Sequence, residues 1–113
     1  MIKKYKVHIA ASGKSDIAAM KKYILLHFKY RELAENFSKK LKPILSSLDT
    51  FPAGHNSTEF SYKGHKIYLK PRNSYLIFYI INENTHTVTI LRVLKDGMDW
   101  KPIIVNWLYN DTH

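Results

Sequence analysis

The sequence contains no cysteine. A disulfide framework, a zinc site with thiolate ligands and a cysteine nucleophile are therefore all excluded. No apolar run approaches the roughly 20 residues needed to span a bilayer, and the opening residues, MIKKYKVHI, lack the apolar core of a signal peptide. We expect a cytoplasmic protein without a membrane association.

Acidic residues are also scarce, because nine Asp and Glu stand against eighteen Lys and Arg, which gives a net charge of +9. The excess is uneven: residues 1–42 hold eleven bases and three acids, and residues 60–72 hold four bases and no acid. Such a surface attracts polyanions, a class that includes RNA, DNA, acidic protein segments and anionic membrane surfaces. Charge alone does not choose among them, since a lysine-rich helix surface is often simply solvated.

The sequence has no internal repeat, linker or low-complexity tract. A chain of 113 residues suits a single domain, residues 1–113, that buries roughly 65% of its unfolded surface.

The strongest secondary-structure signal lies between Tyr75 and Trp100. An apolar run at 75–81, a polar turn at 82–85 and a β-branched run at 87–94 predict a β-hairpin with two largely apolar faces, both of them covered. Antiparallel pairing keeps the sum of the paired residue numbers constant. The predicted pairs are Ile81 with His86, Tyr79 with Val88, Ile77 with Ile90, and Tyr75 with Arg92.

The residues before this hairpin predict a strand and two helices. Residues 2–10 alternate as a half-buried strand does, and Ser12 is placed to cap a helix with Asp16 in its first turn. A break near Lys29 and Tyr30 separates the two helices, and Pro43 predicts a kink in the second rather than an early end. The apolar stripes are Ile17, Met20, Ile24 and His27 or Phe28 in the first helix, and Leu33, Phe37, Leu41, Ile44, Leu45 and Leu48 in the second.

The remaining segments complete an α+β fold. A loop at 49–58 precedes a strand at 59–70, which is interrupted by a turn at 63–65, and residues 71–74 turn into the hairpin. Asp99 can cap a short last helix with Pro102 in its first turn. We therefore predict an N-terminal strand and a helical hairpin packed on a mainly antiparallel four-stranded sheet, followed by a short C-terminal helix. The apolar face of that helix is Trp100, Ile103, Ile104, Trp107 and Leu108.

This order of elements, with Pro52 and Gly54 in the loop, then YLIFY, an acidic and polar turn, and ILRVLKDGMDW, resembles the RelE/ParE superfamily of type II toxins over nearly the whole chain. The ILRVL segment, followed by a basic residue and an Asp, is most similar to the ParE branch, often labelled plasmid stabilisation proteins. That branch typically has His where Lys95 stands here. The resemblance implies a toxin that needs no cofactor or metal and forms a hetero-oligomer with a cognate antitoxin.

Two activities occur on this fold, inhibition of DNA gyrase in the ParE branch and ribosome-dependent cleavage of mRNA in the RelE branch. Metal-independent cleavage needs a base for the 2′-hydroxyl, cations for the phosphorane charge and an acid for the leaving oxygen. The candidate cations are Lys63, Lys66, Lys70, Arg72, Arg92 and Lys95, and the candidate bases are His55 and His65. A lone histidine is more often an ordinary polar residue than a catalytic one.

The RelE-type Tyr after the last strand, the His-Tyr terminus of YoeB-like toxins and the histidine pair of YafQ-like toxins are not matched. The resemblance therefore favours a gyrase inhibitor, with an mRNA endoribonuclease as the first alternative and a non-toxic, basic nucleic-acid-binding module as the second. The predicted contacts with the target are Arg72, Tyr75, Tyr79, Arg92 and Lys95.

Two predicted sites also have structural interpretations. Arg92 can stack on Tyr75 or pair with Asp96 or Asp99, because a cation inside an apolar hairpin needs a partner. The tyrosines can be core residues instead of stacking on bases. The aromatic and aliphatic side chains of the last helix can cover the sheet, or leave an apolar groove for the antitoxin. The predicted antitoxin contacts are Trp100, Ile104 and Trp107.

Overall fold

The computed structural model describes residues 4–28, 30–50, 52–54 and 56–112. The elements in chain order are β1 (Lys6–Ile9), α1 (Ala11–Phe28), α2 (Arg31–Ser46), two 3₁₀ turns (Ser47–Asp49 and Pro52–Gly54), β2 (Asn56–Tyr62), β3 (His65–Arg72), β4 (Tyr75–Asn82), β5 (Thr87–Lys95) and α3 (Trp100–Thr112). The strands form one sheet in the order β1-β5-β4-β3-β2, with β1 parallel to β5 and the other neighbours antiparallel. No helix within the described ranges is long and apolar enough to cross a membrane.

The predicted α+β architecture is confirmed, but the sheet has five strands instead of four. The segment read as one interrupted strand is two paired strands, β2 and β3. Lys63 and Gly64 between them both have positive φ, of 50° and 83°. Two such residues in succession make the tight reversal of a β-hairpin, so the chain doubles back where a brief interruption was expected.

The sheet is covered on both faces, as predicted. The helical hairpin packs on one face to form what we call the hairpin-side core, and α3 packs on the other to form the α3-side core. The buried members of the hairpin-side core are Phe37, Leu41, Ile44, Leu45, Leu48, Ile77, Tyr79, Ile81, Val88, Ile90 and Val93. Those of the α3-side core are Ile67, Leu76, Phe78, Ile80, Leu91, Leu94 and Ile104.

The predicted register of the β4–β5 hairpin is wrong. Ile81 pairs with Val88, because Asn82 is still in the ladder and its side-chain oxygen accepts the N–H groups of residues 84 and 85 to start a longer turn. A β-bulge farther along then shifts the pairing by one residue, and Phe78 lies opposite Arg92. Arg92 thus leaves the side of the sheet predicted for it, and Val93 joins the hairpin-side core.

The start of α1 also differs from the prediction. The helix begins at Ala11, and Ser12 does not cap it, because its hydroxyl donates to the carbonyl oxygen of Leu91 at 2.6 Å. Gly13 is buried, and a Cβ built there would lie 3.1 Å from the carbonyl oxygen of Ile90. Glycine therefore lets α1 approach the backbone of β5 closely.

Three smaller predictions concern the helical hairpin. The second helix continues through Pro43 to Ser46, so an early end is excluded. Leu33 is exposed, and Ala34 takes its place in the buried stripe. His27 and Phe28 are both exposed at the end of α1. The strand predicted at 2–10 is observed over Lys6–Ile9 only. Residues 2 and 3 of that prediction and the candidate base His55 fall outside the described residues.

Candidate functional site

Three of the predicted target contacts meet at one end of the sheet. Arg72 of β3 lies opposite Tyr75 of β4, and Tyr75 lies opposite Lys95 of β5. Arg72 and Lys95 are exposed, and Tyr75 is half-buried between them. We call these three residues the basic row. It places one cation on each side of an aromatic ring. This arrangement suits a partner that carries anionic groups and a flat surface on which the ring can stack.

An apolar groove of about 600 Å³ opens beside the basic row, between α1 and the end of β5. Tyr75 belongs to both features: its ring meets Phe37 edge-on, with centroids 5.8 Å apart. The Tyr75 phenol is protonated at neutral pH, as tyrosines ordinarily are, and burial raises its pKa further. The groove, called the α1–β5 groove below, is lined by Asp16, Ala19, Met20, Tyr23, Ile24, Phe28, Phe37, Tyr75, Val93, Leu94, Lys95 and Met98.

Several of the apolar side chains around this groove are exposed. Tyr23 is 53% exposed, Phe28 52% and Met98 45%. Large apolar side chains clustered at this level of exposure are typical of a surface that binds another protein. The fold therefore presents charge and apolar area next to each other at the same end of the sheet.

Lys70 is a buried cation that lies on β3 two residues before Arg72, so the two side chains share a sheet face with Lys66 and Tyr68. Its ammonium donates to the hydroxyl oxygen of Ser47 at 3.0 Å. Burial, and secondarily the charge of Arg72, lower the pKa of Lys70. Ser47 is the C-cap of α2, and the negative end of that helix dipole favours the charged lysine.

Tyr79 lies inside the hairpin-side core with no exposed surface. Its hydroxyl donates to the carbonyl oxygen of Pro52 at 2.6 Å, and burial raises its pKa far above the ordinary value. The side chain thus fastens the 3₁₀ turn at Pro52–Gly54 to the sheet. Its placement is that of a core residue, away from the basic row.

Arg92 is held by α1 rather than by the partners that the sequence suggested. Its guanidinium forms two hydrogen bonds with Asp16, and its Cζ lies 5.7 Å from the centre of the Trp107 ring. The bulge in β5 accounts for this, because it turns Arg92 away from Tyr75. The sequence did carry a signal, since Asp16 is the only acid before Glu32 and lies in the helix expected to cover the hairpin.

The other predicted cations lie at the far end of β3. Lys63 occupies the β2–β3 turn, with its ammonium 5.2 Å from the centre of the Tyr62 ring, and His65 and Lys66 begin β3. Arg72 lies seven positions after His65, which is about 23 Å along a strand. The candidate cations are therefore divided among four places, because Lys70 and Arg92 are each held apart from the basic row, and His65 does not reach that row.

The three predicted antitoxin contacts pack α3 on the sheet. Trp100 meets the ring of Phe78 at 5.2 Å between centroids, Trp107 stacks on Tyr62 at 5.1 Å, and Ile104 is fully buried. No cluster of three or more side chains able to hold a metal ion occurs within the described ranges.

Comparison with known proteins identifies the family. Residues 7–100 match the ParE toxin of the type II toxin-antitoxin system parDE. The chain belongs to this family. It is thus a toxin of a type II toxin–antitoxin system, and the family predicted from the sequence is confirmed. No curated protein sequence gives a significant match.

Solved structures show the same fold for this ParE-family chain. A chain of the chromosomal ParDE system from P. aeruginosa matches with a TM-score of 0.63 and 11% identity, covering 83% of this chain and 98% of that one. A chain of the toxin-antitoxin complex RelBE2 from Mycobacterium tuberculosis matches with a TM-score of 0.57 and 16% identity, covering 87% of this chain and 98% of that one. At these identities the likeness bears on the fold alone.

Proposed function

We propose that this toxin stops growth by binding DNA gyrase through the basic row, and that a cognate antitoxin neutralises it. The observation that carries the proposal is the composition of the row. Arg72 and Lys95 supply charge and Tyr75 supplies a ring, but the row includes no imidazole or carboxylate to exchange a proton at neutral pH. Such a set is better suited to binding than to acid–base catalysis.

The family match supports the same target. It names the ParE toxin, and the ILRVL segment of β5 follows the ParE branch, for which gyrase is the target that the resemblance implies. The row also lies at an exposed end of the sheet, where a large protein has access to it. A binding mechanism requires no cofactor.

Cleavage of mRNA is the second candidate, and Lys70 is the observation that favours it. A lysine whose pKa is lowered by burial is neutral more often than an exposed one, and only the neutral amine can act as a general base. Arg72 lies two residues away on the same face and could stabilise a phosphorane. Lys70 is nevertheless largely enclosed, and its hydrogen bond to the α2 cap gives it a structural role.

The antitoxin is proposed as an acidic, partly helical segment that lays apolar anchors in the α1–β5 groove. The exposed Tyr23, Phe28 and Met98 give those anchors a surface, and Lys95 at the groove favours acidic flanks. This groove is better suited to the role than the apolar face of α3, since Ile104 is fully buried and both tryptophan rings pack on the sheet.

Two assays run side by side separate the candidate functions. The toxin is induced in a bacterial host, supercoiling by purified gyrase is measured with the purified protein, and primer extension maps cuts in mRNA from the intoxicated cells. Inhibited supercoiling with intact mRNA supports the gyrase proposal. Codon-registered cuts with unaffected gyrase would contradict it and favour cleavage. Normal growth despite abundant folded protein would favour the non-toxic nucleic-acid-binding module.

A further inference from the structure

The turn between β5 and α3 contains the only Asp-Gly pair of the sequence, Asp96 and Gly97. Both residues are exposed, and Gly97 has a φ of 93°, a conformation that residues with a side chain rarely adopt. The backbone N–H of Gly97 donates to Oδ1 of Asp96 at 2.9 Å. The turn therefore holds the Gly97 nitrogen against the carboxyl group of the residue before it.

This contact brings a nucleophile close to a carbon that it can attack. The side-chain carbon Cγ of Asp96 is bonded to Oδ1, and attack on Cγ by the Gly97 nitrogen closes a succinimide ring. Two groups that are held in proximity react far faster than the same groups free in solution. Glycine also leaves its nitrogen open to approach, because it has no Cβ, and nothing beyond the chain neighbours lies within 4 Å of the place that a Cβ would take.

We propose that Asp96 and Gly97 form a site of spontaneous isoaspartate formation. In the first step the Gly97 nitrogen bonds to Cγ of the protonated Asp96 side chain, and the N–H proton and the carboxyl OH leave together as water. In the second step water adds to the ring. Addition at Cγ breaks the new bond and restores aspartate, whereas addition at the main-chain carbonyl carbon breaks the original peptide bond and leaves Gly97 joined through Cγ. The water released in the first step is regained in the second, so no co-reactant is needed.

The other aspartates of the sequence are less suited to this reaction. Each of them is followed by a residue larger than glycine, and a side chain on the attacking residue slows ring closure. Asp16 is in addition held by two hydrogen bonds from Arg92. We therefore expect the modification to be concentrated at Asp96.

Isoaspartate would alter the turn at a point that two sites share. The product carries the main chain through Cβ and Cγ, which lengthens the backbone by one carbon–carbon bond, about 1.5 Å. Lys95 of the basic row directly precedes the turn, and Met98 of the α1–β5 groove closes it by donating its N–H to the carbonyl oxygen of Lys95 at 3.3 Å. The N–H of Asp96 donates to the carbonyl oxygen of Ser74 in the β3–β4 turn at 2.8 Å. A longer backbone displaces Lys95 from the row, so the modified toxin should inhibit its target less. This consequence rests on the proposed function in one respect, namely that Lys95 contacts the target.

The first test uses the purified full-length toxin, incubated in the folded state at mildly acidic pH, because the reacting carboxyl group must carry a proton. Mass spectrometry with electron-transfer fragmentation distinguishes isoaspartate from aspartate and locates it in the chain. We expect isoaspartate at position 96 to exceed that at every other aspartate by about tenfold or more. A yield at position 96 that is no higher than at the other aspartates would overturn the proposal.

The contribution of the fold is measured by repeating the incubation in urea. We expect the folded protein to form isoaspartate at position 96 at least as fast as the unfolded chain, because the native turn already holds the nitrogen against the carboxyl group. A folded rate that is lower than the unfolded rate would overturn the proposal, since the native turn would then protect the pair.

Two variants provide a matched pair for the effect on inhibition. Asp96→Glu keeps the charge, but its longer side chain would have to close a larger and less favourable ring, so this variant should retain its inhibition of gyrase on prolonged incubation. Asp99→Glu makes the same change at a second exposed aspartate of this segment. Wild type and Asp99→Glu should both lose inhibition by about fivefold or more as isoaspartate accumulates.

The outcomes separate the modification from the proposed function. Accumulation of isoaspartate with unchanged inhibition would overturn the proposed effect on the basic row. An equal loss of inhibition in Asp96→Glu would attribute the loss to another change and would also overturn that effect. Fresh wild-type toxin that does not inhibit gyrase would contradict the proposed function, and the yield of isoaspartate at position 96 would still decide the modification site.

Discussion

Asp16 of α1 holds Arg92 of β5 at two points, with Nε 2.7 Å from Oδ2 and Nη2 2.9 Å from Oδ1. The same carboxylate accepts the backbone N–H of Val93 at 2.9 Å. Both side chains are largely buried, with about 15% of Arg92 and 14% of Asp16 exposed. One acid, Asp16, therefore joins the first half of α1 to the bulged part of β5, and it also lines the α1–β5 groove.

The first prediction follows from this pair. Asp16→Ala should lower the free energy of unfolding by about 2 kcal/mol, because it leaves a largely buried guanidinium and a backbone N–H without their acceptor. Urea unfolding followed by circular dichroism measures the change. Glu59→Ala breaks an exposed pair with Lys101 and should change stability by less than about 0.5 kcal/mol. A loss at Asp16 no larger than that of the control would show that the pair does not anchor α1.

Gly13 provides the second prediction. A methyl group there would lie 3.1 Å from the Ile90 carbonyl oxygen and from the side chain of Ile9, so Gly13→Ala should destabilise the fold by about 1–3 kcal/mol. Gly54→Ala is the control, because nothing lies within 4 Å of its added Cβ, and it should be neutral or stabilise by about 0.5 kcal/mol. Thermal unfolding of the two variants compares them directly. A stable Gly13→Ala protein would mean that α1 can move away from β5 at little cost.

The sequence was sufficient to predict the order of the elements and the two-faced core, because apolar periodicity sets these. It also predicted the family, through the resemblance of the YLIFY and ILRVLKDGMDW segments. It was not sufficient to place Arg92. Its predicted position followed from a regular ladder, and a single bulge in β5 moved the side chain to the other side of the sheet. Whether a strand bulges depends on tertiary contacts such as those of Asp16, and these are not visible in local spacing.

The candidate site was predicted in part for the same reason. Arg72, Tyr75 and Lys95 come together because the β3–β4 turn joins Arg72 to Tyr75, and β5 runs back along β4 to end at Lys95. The sequence placed Arg72 and Tyr75 at that turn and Lys95 at the end of the last strand. It did not predict that the Lys70 side chain would be enclosed. The enclosure depends on where α2 ends relative to β3, and that position is set by the packing of the helix on the sheet and not by the residues next to Lys70 in the sequence.

Tyr79 gives a third prediction, which concerns pH. Its pKa is raised in the folded state, so above about pH 10 the unfolded chain releases this proton while the folded chain keeps it, and stability falls as pH rises. Tyr79→Phe should reduce the loss of stability between neutral pH and pH 11. It should also cost about 1 kcal/mol at pH 7, because the bond to Pro52 is lost. Parallel pH profiles for the two proteins would contradict the assignment.

The fourth prediction concerns the basic row. Arg72→Ala and Lys95→Ala should each weaken inhibition of the target by about tenfold or more, since each removes an exposed cation beside Tyr75. Neither change should alter stability by more than about 0.5 kcal/mol. Supercoiling titrations report the first effect and urea unfolding the second. Lys40→Ala, which removes an exposed cation from α2, is the control, and a comparable loss of inhibition in this variant would mean that net charge and not the row is responsible.

The last prediction separates the apolar and electrostatic parts of antitoxin binding at the α1–β5 groove. Phe28→Asp should weaken the complex by about a hundredfold, because it places a charge among apolar anchors and beside an acidic partner. It should leave toxicity in the absence of antitoxin unchanged, since Phe28 lies outside the basic row. If apolar contacts dominate, the wild-type complex should persist in about 1 M salt, where the Debye length is only about 3 Å. Size-exclusion chromatography at low and high salt measures this, and a wild-type complex that dissociates in moderate salt would show that charge rather than the groove holds the antitoxin.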